Sequence, residues 1–406
     1  MTIMKWLSII GIGEDGIDGL SKIAVSVLNQ AQIIFGGERH LTMLSPEDTR
    51  EKISWQSPFQ SSIQEIINLR HQGKLVCILA SGDPMFYGVG VTIIKHIPIN
   101  EITIIPSPSA FSLACSRLGW NFLEVETLSL CGRPVSILQT YLYPGAKLLI
   151  LSANQETPKI VAERLTQDGY GNSKITVLEK MGGMNERILT DVAQNLNIQE
   201  IAALNTIAVE CVADLEIVRF SRFPGLPDSA FHHDGQLTKR EVRAATLSAL
   251  APCPGELLWD IGAGCGSIAI EWMRSHVRCR AIAIEKNHKR INYINDNAAV
   301  LGTPNLQVII GKSTEVIHNL PTPDAIFIGG GVTAPGLFEQ CWNVLKIGGR
   351  MVANVVTLEG EQILFNWYEQ VGGNFSRISI QRAEPIGKFL GWKGMSQITQ
   401  WVGYKK

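Results

Sequence analysis

The sequence predicts an α/β protein built of two domains. Short apolar runs typical of strands alternate with helix-length amphipathic stretches along most of the chain, which is the pattern of α/β folds. The chain has 406 residues, and a domain usually takes roughly 100–200. The alternation is interrupted once, near residues 221–236, and then starts again.

The first part of the chain, residues 1–220, contains a series of strand-like runs. Each is a short apolar segment bounded by turn residues, as buried strands are. The clearest are LVCILA 75–80, ITIIP 102–106, KLLILS 147–152, ITVLEK 175–180 and TIAVEC 206–211. We therefore expect residues 1–220 to form the first domain.

The interruption at 221–236 reads SRFPGLPDSAFHHDGQ. Proline, glycine, aspartate and serine are frequent in it, and such composition favours loops over helices or strands. We therefore expect residues 221–236 to be a linker.

Residues 237–406 restart the pattern with an amphipathic helix over 239–250, whose apolar positions are Val242, Ala245, Leu247 and Leu250. Seven strand-like runs follow, namely LLWDIG, AIAIEK, LQVIIG, AIFIGG, GRMVANVV, FSRISI (375–380) and SQITQWVGY (396–404). Helix-length segments separate the first five runs, which indicates parallel pairing. The last two lack a helix between them, so we expect a mostly parallel seven-stranded sheet with a hairpin-like end.

Composition excludes several classes of protein. The formal net charge is −1 at pH 7, which does not favour a nucleic-acid or membrane partner through bulk charge. The eight cysteines form no C-x-x-C pair and the eight histidines no H-E-x-x-H pattern, so we expect no metal site. No uncharged apolar run reaches about 18 residues, most cysteines stand in apolar surroundings, and we expect a cytoplasmic protein with buried thiols.

A glycine-rich loop in the second domain, DIGAGCG at 260–266, lies between a strand and a helix. Glycines allow the backbone to turn tightly and approach a ligand, and a helix N-terminus offers free N–H groups. Glu285 ends the next strand, 19 residues beyond Gly266, where an acid can accept ribose hydroxyls. Ser313 follows the third strand, where an adenine edge would lie. The alternative is a glycine turn that only packs a helix on the sheet.

This combination resembles the class I S-adenosylmethionine (SAM) methyltransferases, which have a Rossmann-like fold. Together with GQLTKREVRA (235–244) and DAIFIGGG (324–331), it looks like the methyltransferase-decarboxylase domain of the corrin pathway, over roughly 227–406. The resemblance implies a SAM site made of Thr238, Gly262, Ala263, Gly264, Cys265, Gly266, Glu285 and Ser313. Lys312 departs from the family, which usually has an acid at this place.

A second glycine loop, GIGEDG at 11–16, has the G-x-G-x-x-G spacing of dinucleotide sites. The following helix begins only near Leu20, several residues too late to place its N-terminus under the loop. The next strand, QIIFGGERH, ends in glycines where the ribose-binding acid of a dinucleotide enzyme should stand. We therefore exclude an NAD site here.

GIGEDG, SGDPMFYG, SPSAF and SLCGRP, in this order, resemble the tetrapyrrole methylases, a class III family of SAM-dependent enzymes, and specifically their corrin carbon-5 branch. The resemblance covers roughly 1–215 and implies two α/β subdomains with SAM between them. It implies that SAM lies near Asp83, Phe86, Ser109 and Ala110, and that the loop with Gly11 and Gly13 frames the substrate trough.

Both halves thus point to corrin synthesis. The pairing resembles fused enzymes that methylate carbons 5 and 15 of a precorrin, convert precorrin-6B to precorrin-8X and remove one acetate carboxyl. It implies two SAM sites, a tetrapyrrole as the small-molecule partner and no metal. We expect no catalytic triad, because the methyl-accepting carbon is already nucleophilic and positioning can supply the catalysis. We also expect a homo-oligomer.

A substrate with many carboxylates requires local cations, because the net charge is close to zero. Candidates are Arg133 in CGRP and the cluster Lys239, Arg240 and Arg243 directly after Thr238. Gly329 and Gly330, after the fourth strand of the second domain, are candidates for the floor beneath the reacting methyl group. The alternative for each cation is a solvated surface charge.

Two other functions fit parts of the sequence. A class I methyltransferase could act on another small molecule or on nucleic acid, with the first domain providing specificity. Enzymes of the nucleic-acid kind often carry an Asn/Asp-Pro-Pro-aromatic motif after the fourth strand, where this chain reads IGGG. A SAM- or nucleotide-sensing protein without catalysis is the second alternative, and a turnover assay separates it.

Overall fold

A computed structural model describes residues 5–217 and 220–406. The contacts divide them into two compact units. The N-terminal unit comprises the described residues up to Val135 together with Tyr143–Ile217. The C-terminal unit comprises Ser136–Leu142 and the described residues from Phe220 onward.

The N-terminal unit begins with a five-stranded parallel sheet in the order β3-β2-β4-β1-β5. Its strands are short and largely buried, because helices cover both faces of a parallel sheet. The strands are β1 Leu7–Ile12, β2 Ile33–Gly36, β3 Glu51–Ser54, β4 Val76–Ser81 and β5 Ile102–Ile105. The helices between and after them are α1 Lys22–Gln30, α2 Glu38–Leu41, α3 Phe59–His71, α4 Gly90–Ile93 and α5 Ala110–Leu118.

A second sheet completes this unit in the order β6-β7-β10-β8-β9, in which β6 and β7 are parallel and the other pairs antiparallel. Its elements are β6 Val125–Ser129, β7 Lys147–Leu151, α6 Thr157–Gln167, β8 Lys174–Glu179, β9 Arg187–Val192 and β10 Asn205–Glu210. Helix α5 packs on this sheet through Phe111, Ala114 and Cys115. The predicted pair of α/β subdomains is confirmed.

The C-terminal unit is built on a seven-stranded sheet in the order β13-β12-β11-β14-β15-β19-β16. The first five strands are parallel, and β19 is antiparallel to both β15 and β16. The strands are β11 Leu257–Ile261, β12 Arg280–Glu285, β13 Gln307–Ile310, β14 Ala325–Ile328, β15 Arg350–Val355, β16 Asn374–Ile378, β17 Gln381–Ile386, β18 Phe389–Gly394 and β19 Ile398–Tyr404. The helices are α7 Arg240–Leu250, α8 Ser267–Ser275, α9 His288–Val300, α10 Ser313–Val316, α11 Leu337–Val344 and α12 Leu358–Val371. The predicted mostly parallel sheet with its antiparallel end is confirmed.

Strands β17 and β18 form a separate two-stranded hairpin between β16 and β19 that the sequence analysis did not predict. Its side chains are largely exposed, Phe389, Leu390 and Trp392 among them. The alternation of buried and exposed positions that identifies a strand is therefore missing from this segment.

The structure differs from the prediction of a linker over 221–236. Leu226 and Phe231 are buried in the main core cluster of the C-terminal unit, beside helices α7 and α8. The segment Ser136–Leu142 also belongs to this unit, where the buried Gln139 side chain accepts a hydrogen bond from Arg274. Proline and glycine make the segment irregular, but they do not prevent it from packing.

Six of the eight cysteines are buried and two, Cys131 and Cys253, are exposed, so the prediction of mostly buried thiols is confirmed. Burial raises the pKa of Cys211 and Cys341 to about 12. Among the residues described, no helix is long and apolar enough to cross a membrane. Nor do these residues bring three His, Cys, Asp or Glu side chains together as metal ligands would require.

Candidate functional sites

The glycine loop of the C-terminal unit lies at the carboxyl edge of the parallel strands. Gly262, Gly264 and Gly266 all have positive φ, a conformation that side chains with a Cβ rarely adopt. The backbone nitrogen atoms of Gly262 and Ala263 donate to the carbonyl of Ile284 at 3.0 and 3.1 Å. The loop is therefore fixed to the end of strand β12, and its own residue Cys265 is buried in the core.

Glu285 occupies the end of β12 and is buried. Its Oε2 accepts a hydrogen bond from the Gly264 nitrogen at 2.9 Å, and its Oε1 accepts from the nitrogens of Lys286 and Asn287 at 3.0 Å. A carboxylate has about four acceptor positions, so Oε2 keeps the capacity for one further donor. A ribose hydroxyl would suit that position, as the sequence analysis predicts.

Asp260 is the penultimate residue of β11, just before the loop, and is almost fully buried. Its Oδ2 accepts from the Ala269 nitrogen at 3.0 Å, which joins the strand end to helix α8. Burial, together with the nearby charge of Glu285, raises the pKa of Asp260 to about 7. This carboxyl therefore positions the loop rather than offering a free charge.

The loop after β13 carries the predicted adenine-side residues. Ser313 begins helix α10, and Lys312 precedes it as the N-cap residue. The Lys312 Nζ lies 3.3 Å from the Glu315 carboxylate, and both side chains are largely exposed. Lys312 therefore has a partner on its own helix, and Ser313 remains at the strand edge as predicted.

The three cations of the basic cluster, Lys239, Arg240 and Arg243, differ in their exposure. Lys239 is the N-cap residue of α7, partly buried, and Arg240 is exposed. Arg243, in contrast, has 0% exposed side chain and donates from Nε to Glu271 at 2.6 Å and from Nη1 to the Thr238 carbonyl at 2.6 Å. The prediction that Arg243 meets the substrate is therefore corrected: its guanidinium is enclosed in the protein. A buried cation is retained because a buried acid pairs with it.

The buried face of α7 explains this outcome. Val242, Leu247 and Leu250 are buried, as expected of the apolar positions, whereas Ala245 is only partly buried, and Arg243 and Thr246 are fully buried.

The loop after β14 approaches the glycine loop closely. A Cβ added to Gly262 would lie 2.9 Å from the backbone of Gly330. Gly329 is similarly crowded, by the ring of Phe327. These glycines therefore allow two backbone segments to meet at the edge of the sheet, and Gly329 and Gly330 stay candidates for the floor of the site.

The N-terminal unit contains a cavity of about 410 Å³. Asp83, Phe86, Ser109 and Ala110 all line it, as does Gly13, so the residues implied by the resemblance are brought together. Most of the remaining lining is apolar and comes from helix α5, from loops and from the ends of strands in both sheets of the unit. The lining includes Ile12, Leu79, Phe111, Leu113, Leu151 and Leu178.

Two other predicted residues lie outside this lining. Gly11 is buried, and a Cβ there would lie 1.8 Å from the Gly82 carbonyl, so its role is close backbone packing rather than substrate contact. The Arg133 guanidinium lies 5.4 Å from the ring centre of Tyr87, which does line the cavity. Arg133 therefore stays a candidate at the rim, and Gly11 is corrected to a packing residue.

Sequence reasoning missed a polar group on one wall of the cavity. Glu14, Arg39, His40 and Ser81 all line it and contact one another. The charged residues of GGERH, which follows β2 at the same sheet edge as the other loops, could have indicated this group. The dinucleotide hypothesis requires only an acid at that place, so the arginine and the histidine were not predicted.

Comparison with known proteins agrees with this architecture. A family model described as tetrapyrrole (corrin/porphyrin) methylases matches residues 7–197, and one described as precorrin methyltransferase domain matches residues 229–405. A precorrin-6Y C(5,15)-methyltransferase (decarboxylating) of Sinorhizobium sp is 45% identical over 399 residues, which cover 98% of this chain and 96% of the relative. A protein of the same name from Mycobacterium tuberculosis is 39% identical over 402 residues, with 98% and 99% covered.

Among solved structures, the C-terminal domain of precorrin-6Y C5,15-methyltransferase from Rhodobacter capsulatus is 45% identical. The match covers 45% of this chain and 99% of that chain, with a TM-score of 0.43.

Proposed function

The chain belongs to the family of precorrin-6Y C(5,15)-methyltransferases (decarboxylating), and from this premise we propose that it methylates carbons 5 and 15 of a precorrin in cobalamin biosynthesis. The conversion is that of precorrin-6B to precorrin-8X, with loss of one acetate carboxyl. The observation that supports the proposal is that, in each unit, residues predicted to hold SAM lie together at one place. These places are the loop 262–266 with Glu285 and the N-terminal cavity.

We assign carbon-5 methylation to the N-terminal unit and carbon-15 methylation with decarboxylation to the C-terminal unit. SAM supplies an electrophilic methyl group to both sites. Bound at either site, SAM would give this methyl group to a nucleophilic carbon of the macrocycle and leave as S-adenosylhomocysteine, and the macrocycle would lose a proton. In decarboxylation the carbon–carboxyl bond breaks, carbon dioxide leaves, and the conjugated ring accepts the electron pair and then a proton.

The residues of the chain then have to position and desolvate the reactants. In the C-terminal unit, Asp260 and Glu285 fix the loop, and we propose Thr238 and Ser313 as further SAM-binding residues. In the N-terminal unit, Asp83, Phe86, Ser109 and Ala110 line a cavity with a largely apolar surface. We assign no catalytic acid or base.

The test uses the full chain with SAM and precorrin-6B, read by mass spectrometry. We expect two methyl gains and one carbon dioxide loss, and calorimetry should find about two SAM sites per chain. Binding of SAM without turnover would favour the sensing alternative. A product with one methyl gain and no carbon dioxide loss would contradict the assignment of activity to the C-terminal unit.

Homo-oligomerisation and a cytoplasmic location are further parts of the proposal. The exposed Phe389, Leu390 and Trp392 of the β17–β18 hairpin support self-association, because clustered exposed apolar side chains often mark interfaces. Sedimentation velocity on the full chain tests this, and a monomer at micromolar concentration would contradict it.

A further inference from the structure

The polar wall of the N-terminal cavity combines residues from three strand ends. Glu14 stands in the loop after β1, Arg39 and His40 in helix α2 after β2, and Ser81 at the end of β4. These strands are neighbours in the parallel sheet, so their carboxyl ends meet at one edge. None of these four residues has a role in the proposed function.

Arg39 is the centre of this group. Its guanidinium donates to the Glu14 carboxylate, to Ser81 Oγ at 2.9 Å and to His40 Nε2 at 3.0 Å. Its side chain is 37% exposed and that of Glu14 is 18% exposed. The cation therefore faces the cavity while protein groups hold it in place.

His40 adds no charge to the wall. Because its Nε2 accepts from Arg39, we assign the ring proton to Nδ1, which makes the imidazole neutral. Burial and the Arg39 charge lower the pKa of His40 to about 4, in agreement with a neutral ring. The acidic group that contacts the Arg39 guanidinium is therefore the Glu14 side chain.

Glu14 belongs to the glycine loop 11–16, where Gly13 lines the cavity and Gly16 has a φ of +61°. An ion pair of this exposure is only weakly stabilising, so a ligand carboxylate with full bidentate geometry can take the place of Glu14.

We propose that Arg39 is a carboxylate-binding residue of the N-terminal cavity and that Glu14 occupies the place of the ligand carboxylate in its absence. Ser81 and His40 are positioning residues that orient the guanidinium. The inference rests on the proposed function only for the identity of the ligand. The carboxylate belongs either to a side arm of the tetrapyrrole or to the amino-acid part of SAM.

Four variants of the full chain test this proposal, namely Arg39→Ala, Arg39→Lys, Glu14→Gln and the control Arg117→Ala. Arg117 pairs with Glu186 at nearly the same exposures, 35% and 20%, but does not line the cavity. The first constant is the dissociation constant of S-adenosylhomocysteine from the N-terminal cavity, measured by calorimetry with the site of the C-terminal unit as an internal reference. The second constant is the KM for precorrin-6B, read from the carbon-5 methyl gain.

We expect Arg39→Ala to raise one of the two constants tenfold or more, with Arg39→Lys between it and the wild type. The constant that rises identifies the source of the carboxylate. Glu14→Gln should lower the same constant severalfold, because it removes the internal competitor. Arg117→Ala should leave both constants unchanged, and equal melting temperatures for Arg39→Ala and Arg117→Ala would show that the fold is intact.

The proposal is overturned if Arg39→Ala leaves both constants within twofold of the wild type. It is also overturned if Glu14→Gln raises the constant as Arg39→Ala does, since the pair would then be a structural unit. Failure of the proposed function looks different. The wild type would then bind S-adenosylhomocysteine in the cavity yet yield no carbon-5 methyl gain.

Discussion

Replacing Arg243 by alanine should strongly destabilise the C-terminal unit rather than weaken substrate binding. The guanidinium is fully buried and pairs with Glu271, which also accepts hydrogen bonds from the nitrogens of Gly225 and Leu226 at 2.7 and 3.0 Å. Removing one partner of a buried pair leaves an uncompensated charge and typically costs about 3–5 kcal/mol. The irregular segment around Leu226 should detach from the core at the same time.

Urea unfolding followed by tryptophan fluorescence measures this loss. Six of the nine tryptophans lie between residues 259 and 401, so the signal reports mainly on the C-terminal unit. Arg240→Ala is the matched control, because Arg240 is exposed on the same helix; it should change the free energy of unfolding by less than about 0.5 kcal/mol. Arg243→Met combined with Glu271→Leu should recover part of the loss, because no unpaired charge remains.

The reasoning would be refuted if Arg243→Ala cost less than about 1 kcal/mol of unfolding free energy and raised the KM for the tetrapyrrole. Arg243 would then face the substrate, as its position after Thr238 first suggested.

Three further predictions concern the two sites. Glu285→Ala should weaken SAM binding at the C-terminal site tenfold or more by calorimetry, since it removes the acceptor for the Gly264 nitrogen and for the ligand; a change below threefold would contradict the assignment. Gly262→Ala should abolish carbon-15 methylation and decarboxylation, because the new Cβ would meet the Gly330 backbone. The control Gly331→Ala should retain both activities, because Gly331 also has a positive φ but has open space around it. An equal loss of activity in both variants would show that backbone strain, rather than the contact with Gly330, is the cause. The folded-state pKa of His40, about 4 against 6.5 unfolded, means that its contribution to stability is complete above pH 6.5 and is lost as the pH falls towards 4. His40→Gln should remove up to about 3 kcal/mol of that pH dependence in thermal unfolding of the N-terminal unit, and an unchanged profile would show that His40 is not the titrating group.

The central strands were predictable because burial on both faces produces continuous apolar runs. LLWDI of β11 and AIAIE of β12 are examples, and both lie where the sequence analysis expected them. The β17–β18 hairpin was not predictable in this way, because its exposed side chains give no period. The buried state of Arg243 depends on an acid 28 residues away, a distance at which sequence pattern carries no information.

In the two sites, too, only the contacts that follow from local sequence order were predictable. The loop 262–266 and Glu285 belong to consecutive strands, so their meeting follows from parallel pairing alone. The meeting of Glu14 and Arg39 requires the strand order, in which β4 lies between β1 and β2. That order does not follow from the residues alone, so nothing in the sequence distinguished Arg39 from the other arginines.

The division of the cysteines into six enclosed thiols and two accessible ones makes the protein ready for site-selective labelling without mutation. Alkylation proceeds through the thiolate, and burial suppresses the thiolate of Cys77, Cys211, Cys265 and Cys341 by raising their pKa values to about 11 or 12. A maleimide dye would then report from Cys131, which lines the N-terminal cavity, and from Cys253, which belongs to the C-terminal unit. The native chain thus offers one spectroscopic reporter in each unit, and the one at Cys131 would sense what enters the cavity.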